Sequence, residues 1–268
     1  MTPWQAMLLG ILQGLAEFLP ISSSGHLVIV PHLLGWPDPG LTMDTMLHMG
    51  TLLAIVVYFW SDLWELAAAA LSSIKRRSLD DPQARVAWGV IVATMPGAVV
   101  GLLLEDVFER LFGLPRAAAG FLLGTAFLLV VSELAGSRRR PITSMSWMDA
   151  LLIGLAQMLA IVPGLSRSGS TIASGMLLGF RREDAARFSF LLGVPIMAGT
   201  GLYQLAKLIT GAADSPPVVP VVLGVASAAV SGYLAIAGLL AVVRRRSLLG
   251  FAAYCAVFGL LVLTGVLG

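Results

Sequence analysis

Apolar residues in this chain run in long unbroken stretches instead of alternating with polar ones. Six stretches, 42–60, 86–104, 116–133, 188–209, 218–243 and 248–267, predict helices able to cross a hydrocarbon layer of about 30 Å. Two further segments, 4–35 and 147–180, are each long enough for two half-length helices but are interrupted by Pro, Gly, Ser and charged residues. They predict re-entrant hairpins that enter and leave on one side, because irregular backbone at membrane depth survives only inside protein or against a wet cavity. The expected fold is an all-α polytopic membrane protein with six transmembrane helices and two re-entrant hairpins. It forms a single membrane domain over 1–268, with halves 1–140 and 141–268.

The two interrupted segments are copies of one pattern. At a constant offset of 144, residues 10–35 match 154–179 at ten positions, among them Gly10/Gly154, Gln13/Gln157, Ser22/Ser166, Ser24/Ser168, Gly25/Gly169 and Gly35/Gly179. Bulk hydrophobicity would not select shared Gln, Ser and Gly. Paired interrupted helices mark a site near the membrane midplane. Three spans separate the hairpins, and three is odd, so the second hairpin opens on the side opposite the first. The repeat is therefore expected to be inverted.

Composition narrows the class further. With 57% hydrophobic and 12% charged residues and a mean hydropathy of +0.90, a soluble globule is excluded. No basic run opens the chain, so no removable signal peptide is expected. Cys255 is the only cysteine and has no internal disulfide partner. Lys75, Arg76, Arg77, Arg85, Arg138, Arg139, Arg140, Arg181, Arg182, Arg187, Arg244, Arg245 and Arg246 all fall on one side of the topology, which assigns that side to the cytoplasm. The opposite loop, 105–115, carries Glu105, Asp106 and Glu109 against Arg110. The first hairpin and both termini then face outward. Basic residues grouped beside apolar segments set orientation and do not imply nucleic-acid binding. Trp4, Trp36, Trp60, Trp64, Trp88 and Trp147 lie near predicted ends, as an interfacial belt requires.

Few ionisable residues remain at depth: Glu17, His26 and Arg167 at the two breaks, with His32 and His48 as further candidates. Each costs about 2.5–3.5 kcal/mol at a helix centre on insertion scales and so needs a partner or water. His48 is expected to be a packed or hydrogen-bonded residue. If both hairpin tips reach the midplane, Glu17 meets Arg167. Ser22, Ser23, Ser24, Gly25 and His26 offer hydroxyls, permissive backbone and an imidazole; Gly164, Ser166, Arg167, Ser168 and Thr171 offer an oxyanion site around a guanidinium. That set suits phosphoryl transfer. Arg167 neutralises the phosphate, Ser23 or a water attacks, and Glu17 either shares proton management with His26 or holds a divalent ion. Soluble signatures are missing: there is no P-loop, dinucleotide fingerprint or zinc spacing. Acid-phosphatase-type lipid phosphatases are excluded, since Ala173 and Leu177 stand where that pattern needs His and Asp.

The elements Gln13-x-x-x-Glu17, Phe18-Leu19-Pro20-x-Ser22-Ser23-x-Gly25-His26 and Pro163-Gly164-x-Ser166-Arg167-Ser168-Gly169, with the stretch from Arg182 to Leu192 and Pro195, resemble the undecaprenyl-diphosphate phosphatase family of bacitracin-resistance type. The resemblance covers essentially the whole chain. It implies a multi-pass enzyme of the bacterial cytoplasmic membrane that removes the terminal phosphate of undecaprenyl diphosphate, with interdigitated inverted repeats and a site opening to the periplasmic side. It also implies a divalent cation, Mg²⁺ or Ca²⁺, on Glu17 and Gln13. By position it assigns Glu17, Ser23, His26 and Arg167 to catalysis, and Gln13, Ser22, Ser24, Gly25, Gly164, Ser166, Ser168 and Thr171 to substrate binding. Gln13 stands where the family often has Glu; it can ligate a metal or orient water but cannot act as a base. The implied partners are the polyprenyl diphosphate lipid and the bilayer, with no nucleic acid and with a homodimer left open. The competing function is a transporter or flippase for a polyprenyl phosphate lipid, built on the same architecture.

Overall fold

The computed structural model describes residues 1–104, 107, 111, 113–211 and 216–267. The acidic positions Glu105, Asp106 and Glu109, and Arg110, lie outside them. Among the described residues the chain is all helical, apart from one isolated bridge between Arg140 and Phe180. The helices are α1 (Pro3–Phe18), α2 (Ser23–Leu33), α3 (Gly40–Tyr58), α4 (Trp60–Arg76), α5 (Pro82–Leu103), α6 (Pro115–Ala135), α7 (Trp147–Leu159), α8 (Arg167–Leu177), α9 (Arg182–Ile209), α10 (Val218–Val243) and α11 (Leu249–Leu263).

Five of these, α3, α5, α6, α9 and α10, are long and apolar enough to cross a membrane. The segment expected at 248–267 ends sooner. Gly265 at φ +72° accepts the left-handed turn, and Val266 N–H reaches back to the Leu261 carbonyl, so α11 has 15 residues. The interrupted segments each fold as two short helices, α1 with α2 and α7 with α8. One element was not anticipated. The chain turns at Phe59 (φ −104°) directly into α4, which buries Leu66, Ala69 and Ser73 and exposes Trp60, Trp64, Leu71 and Ile74. Charged residues flank this stretch and dilute its apolar signal, although its helical period is intact.

The two halves exchange helices. α1 packs chiefly on α10, and its repeat counterpart α7 packs on α5, so the first helix of each interrupted pair lies on a long helix of the other half. Glycine makes both crossings close. A Cβ on Gly154 would stand 2.6 Å from the Ala93 carbonyl oxygen, and one on Gly10 would overlap the Gly224 carbonyl and Ser227 Oγ. Such backbone-to-backbone approach is how helices gain packing in lipid, where water does not drive them together. Phe18, at the end of α1, meets Phe190 of α9 edge-on at 5.3 Å in the main core.

The basic residues read as orientation markers also close the fold. Arg182 grips Glu133 through Nε (2.8 Å) and Nη2 (2.5 Å), and Arg138 adds a third contact at 2.6 Å. Leu248 N–H donates to the same carboxylate at 2.8 Å. Arg140 pairs with Asp149 (2.7 Å), Arg187 with Asp62, and Arg244 with Glu183.

Gly154→Ala and Gly10→Ala are each expected to force a helix pair apart and lose about 1–3 kcal/mol, the usual range for overpacking. The check is the thermal unfolding midpoint of the detergent-solubilised protein. Gly238→Ala, where a Cβ meets nothing within 4 Å inside a helix, should not lower that midpoint.

Candidate functional site

The site forms where the two breaks touch. α1 ends at Phe18, Leu19 turns to extended backbone, and Ser22 takes a positive φ of 71° before α2 begins at Ser23. In the second copy Gly164, at φ +96°, opens the turn into α8, which begins at Arg167. A Cβ on Gly25 would lie 2.9 Å from Gly164 Cα, and Ser168 Oγ donates to the Leu19 carbonyl at 3.3 Å. Thr125 of α6 fixes the second break from behind: it accepts from Ser166 N–H (2.8 Å) and donates to the Gly164 carbonyl (2.9 Å).

Four side chains converge on one carboxylate. Arg167 Nη2 donates to Glu17 Oε1 at 2.6 Å across 150 residues of sequence. Ser23 Oγ donates to Glu17 Oε2 at 2.5 Å, and Gln13 Nε2 donates to the same oxygen at 3.1 Å. His48 Nε2 lies 3.5 Å from Oε2. Glu17 occupies the last turn of α1, where the helix dipole disfavours a negative charge, so Arg167 offsets both the dipole and the burial. Arg167 is itself held, with Nη1 donating to the Ser189 carbonyl at 2.8 Å. Gly193 makes that placement available: a Cβ there would stand 2.8–3.1 Å from the guanidinium.

The structure thus brings Gln13, Glu17, Ser23 and Arg167 together, as expected, and gives the surrounding polar residues definite tasks. Ser22 and Ser166 cap α2 and α8, accepting from Gly25 N–H (3.2 Å) and Gly169 N–H (2.9 Å). Their neighbours repeat the likeness, Ser22 to Ser24 at 3.3 Å and Ser166 to Ser168 at 3.2 Å. Thr171 is buried and bonded to the Arg167 carbonyl (2.8 Å) and to Ser189 Oγ (2.7 Å), which braces the guanidinium from below. His26 has both ring nitrogens engaged: Nδ1 with the Ser22 carbonyl and Nε2 with Tyr254 Oη, each at 2.7 Å. Its ring stacks with Phe258 at 4.9 Å. His26 therefore clamps the strained Ser22 next to Ser23.

Three residues of the site escaped sequence reasoning. His48 stood out as ionisable in an apolar span, but nothing in its spacing showed that it would face Glu17. Its Nδ1 contacts the Asp44 carbonyl at 2.8 Å, and an amide carbonyl can only accept, so Nδ1 carries hydrogen and Nε2 is presented to the carboxylate. Gly193 carries no signal of its own, and Ser189 lies within the stretch from Arg182 to Leu192 without a role that the pattern assigns.

A divalent ion fits this donor set when shared with a substrate. Gln13 Oε1 is buried without a partner beside Glu17, so one amide oxygen and one carboxylate are on offer. Among the described residues no group of three or more His, Cys, Asp or Glu could hold a metal, so substrate oxygens would complete the shell.

The family model "Bacitracin resistance protein BacA" matches residues 6–261. The chain is similar to proteins named undecaprenyl-diphosphatase in three distant bacteria. Identity is 44% over 271 residues with that of Thermomicrobium roseum, covering 98% of each chain, and 44% over 261 residues with that of Geotalea daltonii, covering 97% of each. With that of Moorella thermoacetica it is 45% over 254 residues, covering 95% of this chain and 94% of the relative.

Gly193→Ala sets a Cβ against the guanidinium, a mobile side-chain end and not backbone, so the fold should survive while Arg167 swings from Glu17. Binding of inorganic diphosphate, followed by calorimetry, should weaken, and the unfolding midpoint should fall by the equivalent of about 1–3 kcal/mol, the usual range for overpacking, with the protein still folded.

Proposed function

The chain belongs to the bacitracin resistance protein BacA family, and from that we propose that it hydrolyses undecaprenyl diphosphate to undecaprenyl phosphate and inorganic phosphate, returning the lipid carrier to cell-wall synthesis and conferring bacitracin resistance. One observation supports this above the rest: a serine hydroxyl donating to a buried carboxylate whose other oxygen is held by a guanidinium.

In the reaction Ser23 Oγ attacks the terminal phosphorus. An O–P bond forms, the phosphoanhydride P–O bond breaks, and undecaprenyl phosphate leaves with the bonding pair. The Ser23 proton passes to Glu17 Oε2, already in hydrogen-bond contact. Water then attacks phosphorus, the Ser23 oxygen leaves and takes its proton back from Glu17 Oε2, and inorganic phosphate departs with both side chains restored. Arg167 has two roles. At rest it neutralises Glu17; when the diphosphate enters, its planar fork turns to the phosphate oxygens and leaves Glu17 free to take the proton. A divalent ion held by Gln13 and Glu17 would add neutralisation of charge on the phosphate. His26 and Thr171 position Ser23 and Arg167 respectively.

The architecture that supports this chemistry is six transmembrane helices with α11 as the sixth, and two re-entrant pairs, α1–α2 and α7–α8, inserted from opposite faces. Loop charge orients the enzyme in the bacterial cytoplasmic membrane with its site open to the periplasmic side.

Glu17→Gln keeps the shape and the Arg167 contact but removes the base, so phosphate release should fall about 10²–10⁴-fold, the usual contribution of acid–base catalysis, with the protein still folded. Ser23→Ala should abolish turnover; a loss below about tenfold would show that water attacks directly. Arg167→Lys is the cleaner probe of the fork, since Arg167→Ala also strands a buried carboxylate at a cost of about 3–5 kcal/mol. EDTA should silence wild-type phosphate release and Mg²⁺ or Ca²⁺ should restore it. Movement of the lipid across vesicles with no phosphate released would instead identify a transporter.

A further inference from the structure

Beside the Glu17–Arg167 cluster, and lined by none of Glu17, Ser23 or Arg167, lies a cavity of about 910 Å³. It opens between α2, the connection after it, the first turns of α3, the end of α5 and the middle of α9. Most of its wall is apolar, supplied by residues such as Leu27, Val28, Leu102, Ile161 and Ile196. Its polar lining includes His32, Thr45, Thr94, Thr200 and Gln204, and among these groups Asp44 stands apart. Its side chain lines the cavity, the residue is 9% exposed, and Oδ1 is buried with no hydrogen-bond partner. Asp38 also lines the cavity and already accepts from Gly40 N–H at 2.8 Å. Among the described lining residues there is no Lys or Arg.

A carboxyl oxygen buried without a partner is costly, and a cationic hydrogen-bond donor is a group that would satisfy it. Two carboxylates against one imidazole, His32, and no Lys or Arg among the described lining residues disfavour phosphate, which sets this cavity apart from the anion site at Arg167. A bare divalent ion also fits poorly. It seeks six or more oxygen ligands, whereas no group of three or more ligating acids or histidines exists among the described residues. The volume matches an organic ligand instead, in the range of small-molecule pockets with a few convergent polar groups.

We propose that this cavity binds an amphiphile carrying a single ammonium group on a hydrocarbon body. The ammonium donates to Asp44, and the chain lies along Leu27, Val28, Leu102, Ile161 and Ile196. The complex places a positive charge one helical turn from His48, whose ring contacts the Asp44 backbone, so occupancy is sensed next to Glu17. None of this depends on the phosphatase reading, and binding is measured without turnover.

The test titrates dodecylamine and, separately, dodecanol into the purified full-length protein in a neutral maltoside detergent, following the thermal unfolding midpoint. Dodecylamine should raise the midpoint saturably, and dodecanol should not at the same concentrations. Asp44→Asn should weaken the apparent affinity for dodecylamine at least tenfold. Gly199→Leu is the second variant: a Cβ there meets nothing within 4 Å, so the new side chain fills the cavity without disturbing Asp44, and binding should again be lost. Equal responses to amine and alcohol, or wild-type affinity in either folded variant, would overturn the proposal.

Discussion

The ion pair between Glu17 and Arg167 is the constraint to which everything else in this molecule is fitted. Each partner alone is an unaffordable charge in an apolar bundle; together they are tolerated because Ser23, Gln13 and the Ser189 carbonyl fill the remaining hydrogen-bonding positions. Making the pair requires two helix breaks at the same depth. Hence Ser22 and Gly164 adopt positive φ, Thr125 grips the second turn, and Gly193 leaves room for the guanidinium. A site built in this way is preorganised before any ligand arrives.

The internal repeat supplies the frame and then departs from symmetry at one register. Several positions shared between the copies are structural: Gly10 and Gly154 make the crossings, and Ser22 and Ser166 cap the helices that follow each break. Ser23 and Arg167 occupy equivalent positions, the first residue of α2 and of α8, and differ completely in chemistry. Glu17 corresponds to Ile161, an apolar residue on the cavity wall. The two copies share one backbone plan, and their differences at these positions make one an acid–hydroxyl platform and the other a cationic one.

Much of this was legible in the chain because membrane packing leaves coarse marks. Long apolar runs became α3, α5, α6, α9 and α10, and the paired interruptions became the short helices α1, α2, α7 and α8. The meeting of residues 17 and 167 followed from the repeat and from the cost of charge at depth. What could not be read depended on rotation about helix axes. Whether His48 faces Glu17 or lipid, and whether Gly193 lies beneath Arg167, is set by packing of α3 and α9 across the halves, which single-sequence periodicity does not encode. The serines near the breaks illustrate the converse. Their composition suggested ligand contacts, but local capping bonds claim Ser22 and Ser166 first. Helix α4 was hidden because interfacial helices lack the sustained hydropathy of a span.

The exchange of helices between halves bears on how the protein is made. The surface that receives α1 belongs to α10, roughly 200 residues further along, so the opening segment emerges from the ribosome with nowhere final to settle. During that interval Glu17 has only its chain neighbours Gln13 and Ser23 for company. Assembly must therefore close late, with the last third of the translated chain deciding when the first third is finally buried.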